Sequence, residues 1–263
     1  MTSLNSRSTV ALITEALAEG NIVTVDLTAP LSSNTPVLQL PEDMAPIPPF
    51  AIEEVARFDE RGMTSFQNAI HTGEHVGTHL DAPNHWITGD QDADVASIPI
   101  SALIAPAVVI DRTAEVGANP DYLLDVQDLL DWQEEHGPFP EGGWLLFRTG
   151  WSRRLNNPED FLNITETGPR TPGMTSACAE WLAHESPLVG VGVETVGTDA
   201  GQAFLMEPQF PCHHFMLGAG KYGLTQLQNL DQLPIQGSLL VVSPLKIVGG
   251  SGSPARVFAV IDS

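Results

Sequence analysis

HTGEHVGTHLDAPNHW, residues 71–86, is the stretch on which the reading of this chain turns. It holds four of the chain's eight histidines, two acids, two glycines and a proline. His71, His75 and His79 recur every fourth position, which on a helix would stack them on one face. Thr72, Gly73, Val76, Gly77 and Thr78 are poor helix formers, so extended or looped backbone is expected instead. In an extended segment side chains repeat every two residues, which points His79 and Asp81 the same way. Pro83 ends regular structure, and His85 follows on the far side of the turn. Two imidazoles and a carboxylate held close together form a facial nitrogen–nitrogen–oxygen set. Such a set suits Zn, Mn or Fe(II) and leaves positions open for water and substrate. Gly73 and Gly77 let the backbone approach an ion. The competing reading of the same residues is a loop of hydrogen-bonded surface histidines.

Outward from this stretch, strand and helix patterns alternate. NIVTVDLT (21–28) alternates and is rich in β-branched residues, as a strand would be. PAVVID (106–111), GWLLFRTGW (143–151), PLVGVGVE (187–194), SLLVVSPLKI (238–247) and ARVFAVID (255–262) read as buried strands. Residues 121–137 carry Leu123, Leu124, Val126, Leu129, Leu130 and Trp132 on a broad helical face, and residues 176–186 form a second helical pattern. Residues 214–230 are expected to be helical in part, interrupted by three glycines. Near the N-terminus Val10, Leu12, Ile13, Ala16 and Leu17 share one helical face, with Gly20 at the C-cap position. This alternation argues for an α/β fold with a mixed sheet. No linker composition and no internal repeat divides the chain, so residues 1–263 are expected to form a single domain.

The charge balance excludes several partners. Eleven Lys and Arg face 33 Asp and Glu, a formal net charge of −22. So acidic a surface repels phosphate backbones and anionic lipid, and its ordinary consequence is solubility. Two cysteines make no disulfide framework and suit a reducing compartment. The N-terminal segment lacks the basic start and apolar core of a signal peptide. No apolar run approaches the roughly 18 residues of a membrane span. A soluble cytoplasmic protein with a small-molecule substrate, and with neither nucleic acid nor membrane as partner, is expected.

Three weaker patterns lead nowhere by themselves. Cys212 beside His213 suggests a thiol nucleophile, but that requires a base and an orienting group in space. GGSGS (249–253) lacks the spacing of a phosphate-binding loop and reads as a plain turn between strands. NIT (163–165) fits a glycosylation acceptor, which has no meaning in a cytoplasmic protein. Trp86 and Phe66 could wall a pocket, although buried aromatics are ordinary core components.

His75–Val–Gly–Thr–His79–Leu–Asp81–Ala–Pro–Asn–His85 resembles the HxGTHxDAPxH signature of the cyclase family of metal-dependent hydrolases. VDLTAPLS (25–32), VETVGTDAGQA (193–203), HHFMLGAGKYGLTQLQNLDQLP (213–234) and PLKIVGGSGSPARVFAVI (244–261) extend the likeness over most of the chain. The GAGKYGL and GGSGSP pieces are more similar to the isatin hydrolase and lactone hydrolase branch than to the kynurenine formamidases. The resemblance implies the swivelling β/β/α domain of that family. It implies His75, His79 and Asp81 as metal ligands, His85 as the catalytic histidine beside the metal, and His213 as the later active-site histidine. His214, next in the chain, leaves that last assignment ambiguous by one residue. His71 lies outside the signature, and His136 and His184 fall on helical patterns as ordinary surface residues.

The resemblance also has a departure. In the formamidases a glutamate downstream of the later histidine bridges two ions. The corresponding slot here is Thr225 counted from His213, or Gln226 counted from His214, and neither is a carboxylate. One divalent ion per chain is therefore expected, Mn²⁺ ahead of Zn²⁺, with Thr225 or Gln226 completing its shell or positioning a water. The implied activity is hydrolysis of an isatin-like cyclic amide by a metal-activated water, in a homodimer or homotetramer. Lactone hydrolysis and arylformamide hydrolysis are the alternatives. Two other classes stay open on the residues alone: an Fe(II) oxygenase, which would need oxygen and a co-substrate, and a structural metal site, which is usually closed by four protein ligands.

Overall fold

The valine- and leucine-rich runs pair into a mixed sheet in the computed structural model, which describes residues 8–39, 46–60, 65–86, 88–90 and 92–263. Ten strands matter here: β1 (Ile22–Asp26), the hairpin β2 (Ala51–Ala56) and β3 (Gln67–His71), β4 (His79–Asp81), β5 (Ile104–Asp111), β6 (Trp144–Arg148), β7 (Gly190–Val193), β8 (Tyr222–Thr225), β9 (Ser238–Pro244) and β10 (Gly252–Asp262). Eight of them run in the order β1-β10-β9-β5-β6-β7-β8-β4, and β4 also pairs with β10, which closes the sheet on itself. Strands β5 to β8 are parallel, while β4, β9 and β10 pair antiparallel with their neighbours.

Short β4 is the keystone of that closure. It lies between β8 and β10, with Asp81 opposite both Gly223 and Gly252, and His79 opposite Thr225 and Pro254. The two glycines make room for the site. A Cβ on Gly223 would lie 3.0 Å from Asp81 Oδ2, and one on Gly252 would lie 2.6 Å from the His75 ring.

The strand pleat sends alternate residues to two cores. Leu80, Trp144, Leu146, Leu224, Leu240 and Val257 face one. Val108, Ile110, Leu145, Phe147 and Val191 face the other, where they meet Leu129 and Trp132 of helix α2 (Val126–His136) and Leu182 of helix α3 (Ser176–His184). Each fully buried large side chain of this kind stabilises the fold by about 1.5–3 kcal/mol. The mixed α/β architecture expected from the alternation is the one observed.

Two local expectations need correction. The helical face expected from residue 121 begins only at Val126, because the Asp125 and Asp128 side chains form a capping box there. Leu123 and Leu124 pair in extended form with Gly173 and Met174 instead. The region 214–230 holds a π-helical turn (His213–Leu217) followed by strand β8 rather than a longer helix. Gly220, at φ 74°, adopts the left-handed conformation between them.

The N-terminal helix, α1 (Thr9–Glu19), is capped by Ser8 and closed by Gly20 at φ 73° as the sequence predicts. Its apolar face, including Val10, Leu12, Ile13 and Leu17, is exposed. Among the described residues no helix is long and apolar enough to cross a membrane.

Candidate active site

His79 and Asp81 leave β4 on the same side and are both buried. Gly77, at φ 67°, bends the preceding loop where a Cβ would run into Leu31. The bend brings His75 back over the strand, with its Nδ1 2.7 Å from Asp81 Oδ1. His79 Nε2 lies 3.3 Å from the same oxygen. One ligand atom from each of the three residues falls within 4.8 Å of the others, and this is the one such cluster among the described residues.

The partners behind the rings set which nitrogens are free. His79 Nδ1 lies 2.8 Å from Gly77 O, which can only accept, so Nδ1 carries the proton and Nε2 turns its lone pair toward Asp81. Thr225 Oγ1 lies 2.8 Å from the same Nδ1. Burial would raise the pKa of Asp81, but the adjacent His79 and His75 rings outweigh it. Together they hold the carboxyl well below its usual range. An anionic oxygen and an imidazole lone pair thus converge on one point, a donor set that calls for a cation.

Two more histidines flank this cluster. Pro83 opens a 3₁₀ turn that ends at His85. The His85 ring stacks on His75 at 3.7 Å between centroids and stands 5.5 Å from His213. Burial, together with repulsion from neighbouring histidines and against the pull of Asp81, pushes His85 down to about 3, so its imidazole is neutral. His213 begins the π-helical turn, and its Nδ1 lies 2.5 Å from Asp199 Oδ2. The Asp199 carboxylate is itself fixed by the backbone N–H groups of Cys212 (2.7 Å) and His213 (3.2 Å). Burial disfavours charge on His213, but Asp199 outweighs it and the pKa is raised. The Trp86 ring closes this side, 5.2 Å from His213 and 5.6 Å from Phe210.

The structure therefore gathers His75, His79, Asp81, His85, His213 and Thr225. Gln226 sits at φ 54°; its side-chain amide donates to Pro36 O at 3.2 Å, and its Oε1 is buried without a hydrogen-bond partner among the described residues. His214 turns away to Phe215, 4.9 Å between rings, which leaves His213 as the histidine beside His85. Trp86 meets the site, whereas Phe66 is 60% exposed with Arg57 over its ring. His71 is exposed and pairs with Glu53, and His136 packs on Trp132. Cys212 is buried, and burial with the nearby Asp199 charge pushes its thiol well above the usual range. It stays protonated, which removes the thiol-nucleophile reading.

Asp199 is the residue that sequence reading passed over. Its one signal is position: a lone acid among small residues in VGTDAG. That is poor company for a solvated carboxylate and suitable company for a buried, hydrogen-bonded one.

Residues 25–200 match the profile of the putative cyclase family. The isatin hydrolase of Roseibium aggregatum is 41% identical over 98% of this chain and 99% of its own length. Isatin hydrolase A from Ralstonia solanacearum superposes with a TM-score of 0.94 at 46% identity, covering 99% of this chain and 100% of that one. An isatin hydrolase bound to the product analogue thioisatinate superposes with a TM-score of 0.93 at 40% identity, over 100% of both chains.

Proposed function

Because the chain belongs to the putative cyclase family, we propose that it is a metal-dependent hydrolase that opens a cyclic amide of isatin-like shape. The observation that carries this reading is an open three-ligand cluster set beside two histidines with oppositely shifted pKa values. The full-length likeness to isatin hydrolases supports the substrate class.

His75, His79 and Asp81 would hold one divalent ion, Mn²⁺ by preference and Zn²⁺ as the alternative, since two imidazoles and a carboxylate suit both. When bound, such an ion polarises a carbonyl and lowers the pKa of a water toward neutrality. Neutral His85 accepts the proton of the attacking water. His213, kept protonated by Asp199, gives a proton through its Nε2 to the ring nitrogen as the C–N bond breaks. The products are a carboxylate and an amine on one molecule. Trp86 and Phe210 offer an apolar wall to a flat bicyclic substrate. Thr225 Oγ1, 2.8 Å from His79 Nδ1 and 3.3 Å from its Nε2, braces the His79 ring.

A second copy of the chain would cover the exposed apolar side chains of α1 and of the hairpin residues Ile52, Val55 and Ile70, giving a homodimer or homotetramer. Both cysteines are free, which suits a reducing cytoplasm.

The test joins elemental mass spectrometry of the chain, purified without added metal, to steady-state rates on isatin, an aromatic lactone and N-formylkynurenine. About one ion per chain, absent from His79→Ala, and the highest kcat/KM on isatin are expected. Two ions per chain, or a higher kcat/KM on the lactone or the formamide, would overturn the assignment.

A further inference from the structure

The GGSGS segment joins β9 to β10, and its middle residue reaches the back of the metal-facing histidine. Ser251 Oγ lies 2.8 Å from His75 Nε2 and 2.6 Å from Glu74 Oε2, and the Ser251 backbone N–H donates to the same carboxylate oxygen at 3.1 Å. The segment is fixed on several sides. Gly250 O accepts from Val95 N–H and Ser251 O from Ala82 N–H, each at 2.9 Å. Gly249 N–H donates to Asp94 Oδ2 at 2.6 Å. The fit against Glu74 is close, because a Cβ on Gly250 would stand 2.9 Å from Glu74 Oε1.

A serine hydroxyl has one proton to give, and a carboxylate can only accept. At 2.6 Å that proton lies toward Glu74. Ser251 Oγ is then left to accept from His75, so His75 Nε2 carries its proton and Nδ1 aims a lone pair at Asp81 Oδ1, 2.7 Å away. With the tautomer reversed, Ser251 Oγ would have one proton for two acceptors, His75 Nε2 and Glu74 Oε2, and one of the two contacts would go unmade.

We propose that Glu74 and Ser251 form a relay that fixes the metal-binding tautomer of His75 and strengthens it as a donor, making both of them positioning residues for the ion. The proposal rests on the reading of His75 as a ligand given above. Groups that hold a metal-bound histidine from behind typically change metal affinity by about 10–100-fold when removed.

The experiment measures the dissociation constant of Mn²⁺ itself, by competition with a chromophoric chelator. The proteins are the full chain, Glu74→Gln, Ser251→Ala, the double variant and Ser251→Thr. Each of Glu74→Gln and Ser251→Ala should bind Mn²⁺ about 10–100-fold more weakly. The double variant should bind no more weakly than Ser251→Ala alone, because the relay is already cut. Ser251→Thr, which keeps the hydroxyl, should stay near the parent. Glu74→Gln is isosteric and keeps the loop packed, so its loss of affinity reads the relay rather than folding. Parent-like affinity in both single variants, or losses that multiply in the double variant, overturns the relay and leaves the metal site standing. A parent chain that takes up no Mn²⁺ overturns both.

Discussion

His85 and His213 face each other across 5.5 Å, yet they stand in opposite electrostatic surroundings. Behind His85 there is another imidazole, that of His75, and a low-dielectric wall, so burial drives its pKa down to about 3. Behind His213 there is a carboxylate, Asp199, pinned by two backbone N–H groups, and the pKa rises in spite of burial. The contrast teaches that a ring's role is decided by what stands behind it. A buried histidine stacked on another imidazole stays neutral and accepts a proton; one hydrogen-bonded to a carboxylate keeps its proton and can give it. Titratable pairs whose environments push their pKa values apart mark the base and the acid.

The largest effect expected from this contrast is at the base. His85→Ala should lower kcat by about 10²–10⁴-fold, the usual contribution of a general base, with metal stoichiometry unchanged. Loss of the ion in that variant would make His85 a ligand and dissolve the comparison.

The acid side is sharpened by Asp199→Asn, which keeps the shape and removes the charge. A drop in kcat of about 10²-fold is expected from a misheld ring. The pH profile carries more information. If His213 works protonated, activity falls as pH rises through its raised pKa. Removing Asp199 lowers that pKa, so the alkaline limb should move to lower pH. An alkaline limb that does not move would show that His213 does not act as the acid.

The two sides of the site also differ in how far the sequence reveals them. His75, His79, Asp81 and His85 lie within eleven residues, and the strand pleat alone puts His79 and Asp81 on one side. Local chemistry writes that half. Thr225 and Ser251 come from distant segments that meet His79 and His75 because β4 closes the sheet between β8 and β10, and Asp199 comes from the loop after β7 to meet His213. No local period encodes that pairing. Gly223 and Gly252 illustrate the limit. They look like flexible positions in the sequence, and only the register shows that each faces Asp81 with no room for a Cβ. The long strands were legible as apolar runs. The segment 214–230 was not, because Leu217, Leu224 and Leu227 satisfy helical spacing as well as a turn followed by a strand.

A subtler effect separates the two histidines by stability instead of rate, in the metal-free protein. His85 has a folded pKa of about 3 against an ordinary value of 6.5. Between those values the unfolded chain binds a proton that the folded chain excludes. Stability therefore falls as pH drops through that window, by up to about 1.4 kcal/mol per pH unit. His213 has the opposite sign. Its raised pKa contributes stability that is present below the ordinary histidine range and lost as pH rises through the folded value. Melting temperatures measured across pH should thus flatten on the acid side in His85→Ala and on the neutral-to-alkaline side in His213→Ala. Flattening on the same side in both would break the contrast.

The smallest effect is expected at Cys212, which lies between the two acid-side partners in contact though not in function. Its backbone N–H holds Asp199 Oδ1 at 2.7 Å, while its side chain is buried and its thiol held protonated. Cys212→Ala keeps the N–H and removes only the sulfur. Stability should fall by about 1 kcal/mol, the ordinary cost of trimming a buried side chain. Because no proton or substrate contact passes through the sulfur, kcat should stay within about twofold, a change in barrier of less than half a kcal/mol. A tenfold loss of kcat with the fold intact would mean that the sulfur itself touches the chemistry. Asp199 would then act through its neighbour in the chain as well as through His213, and the division into a neutral base and a charged acid would need a third member.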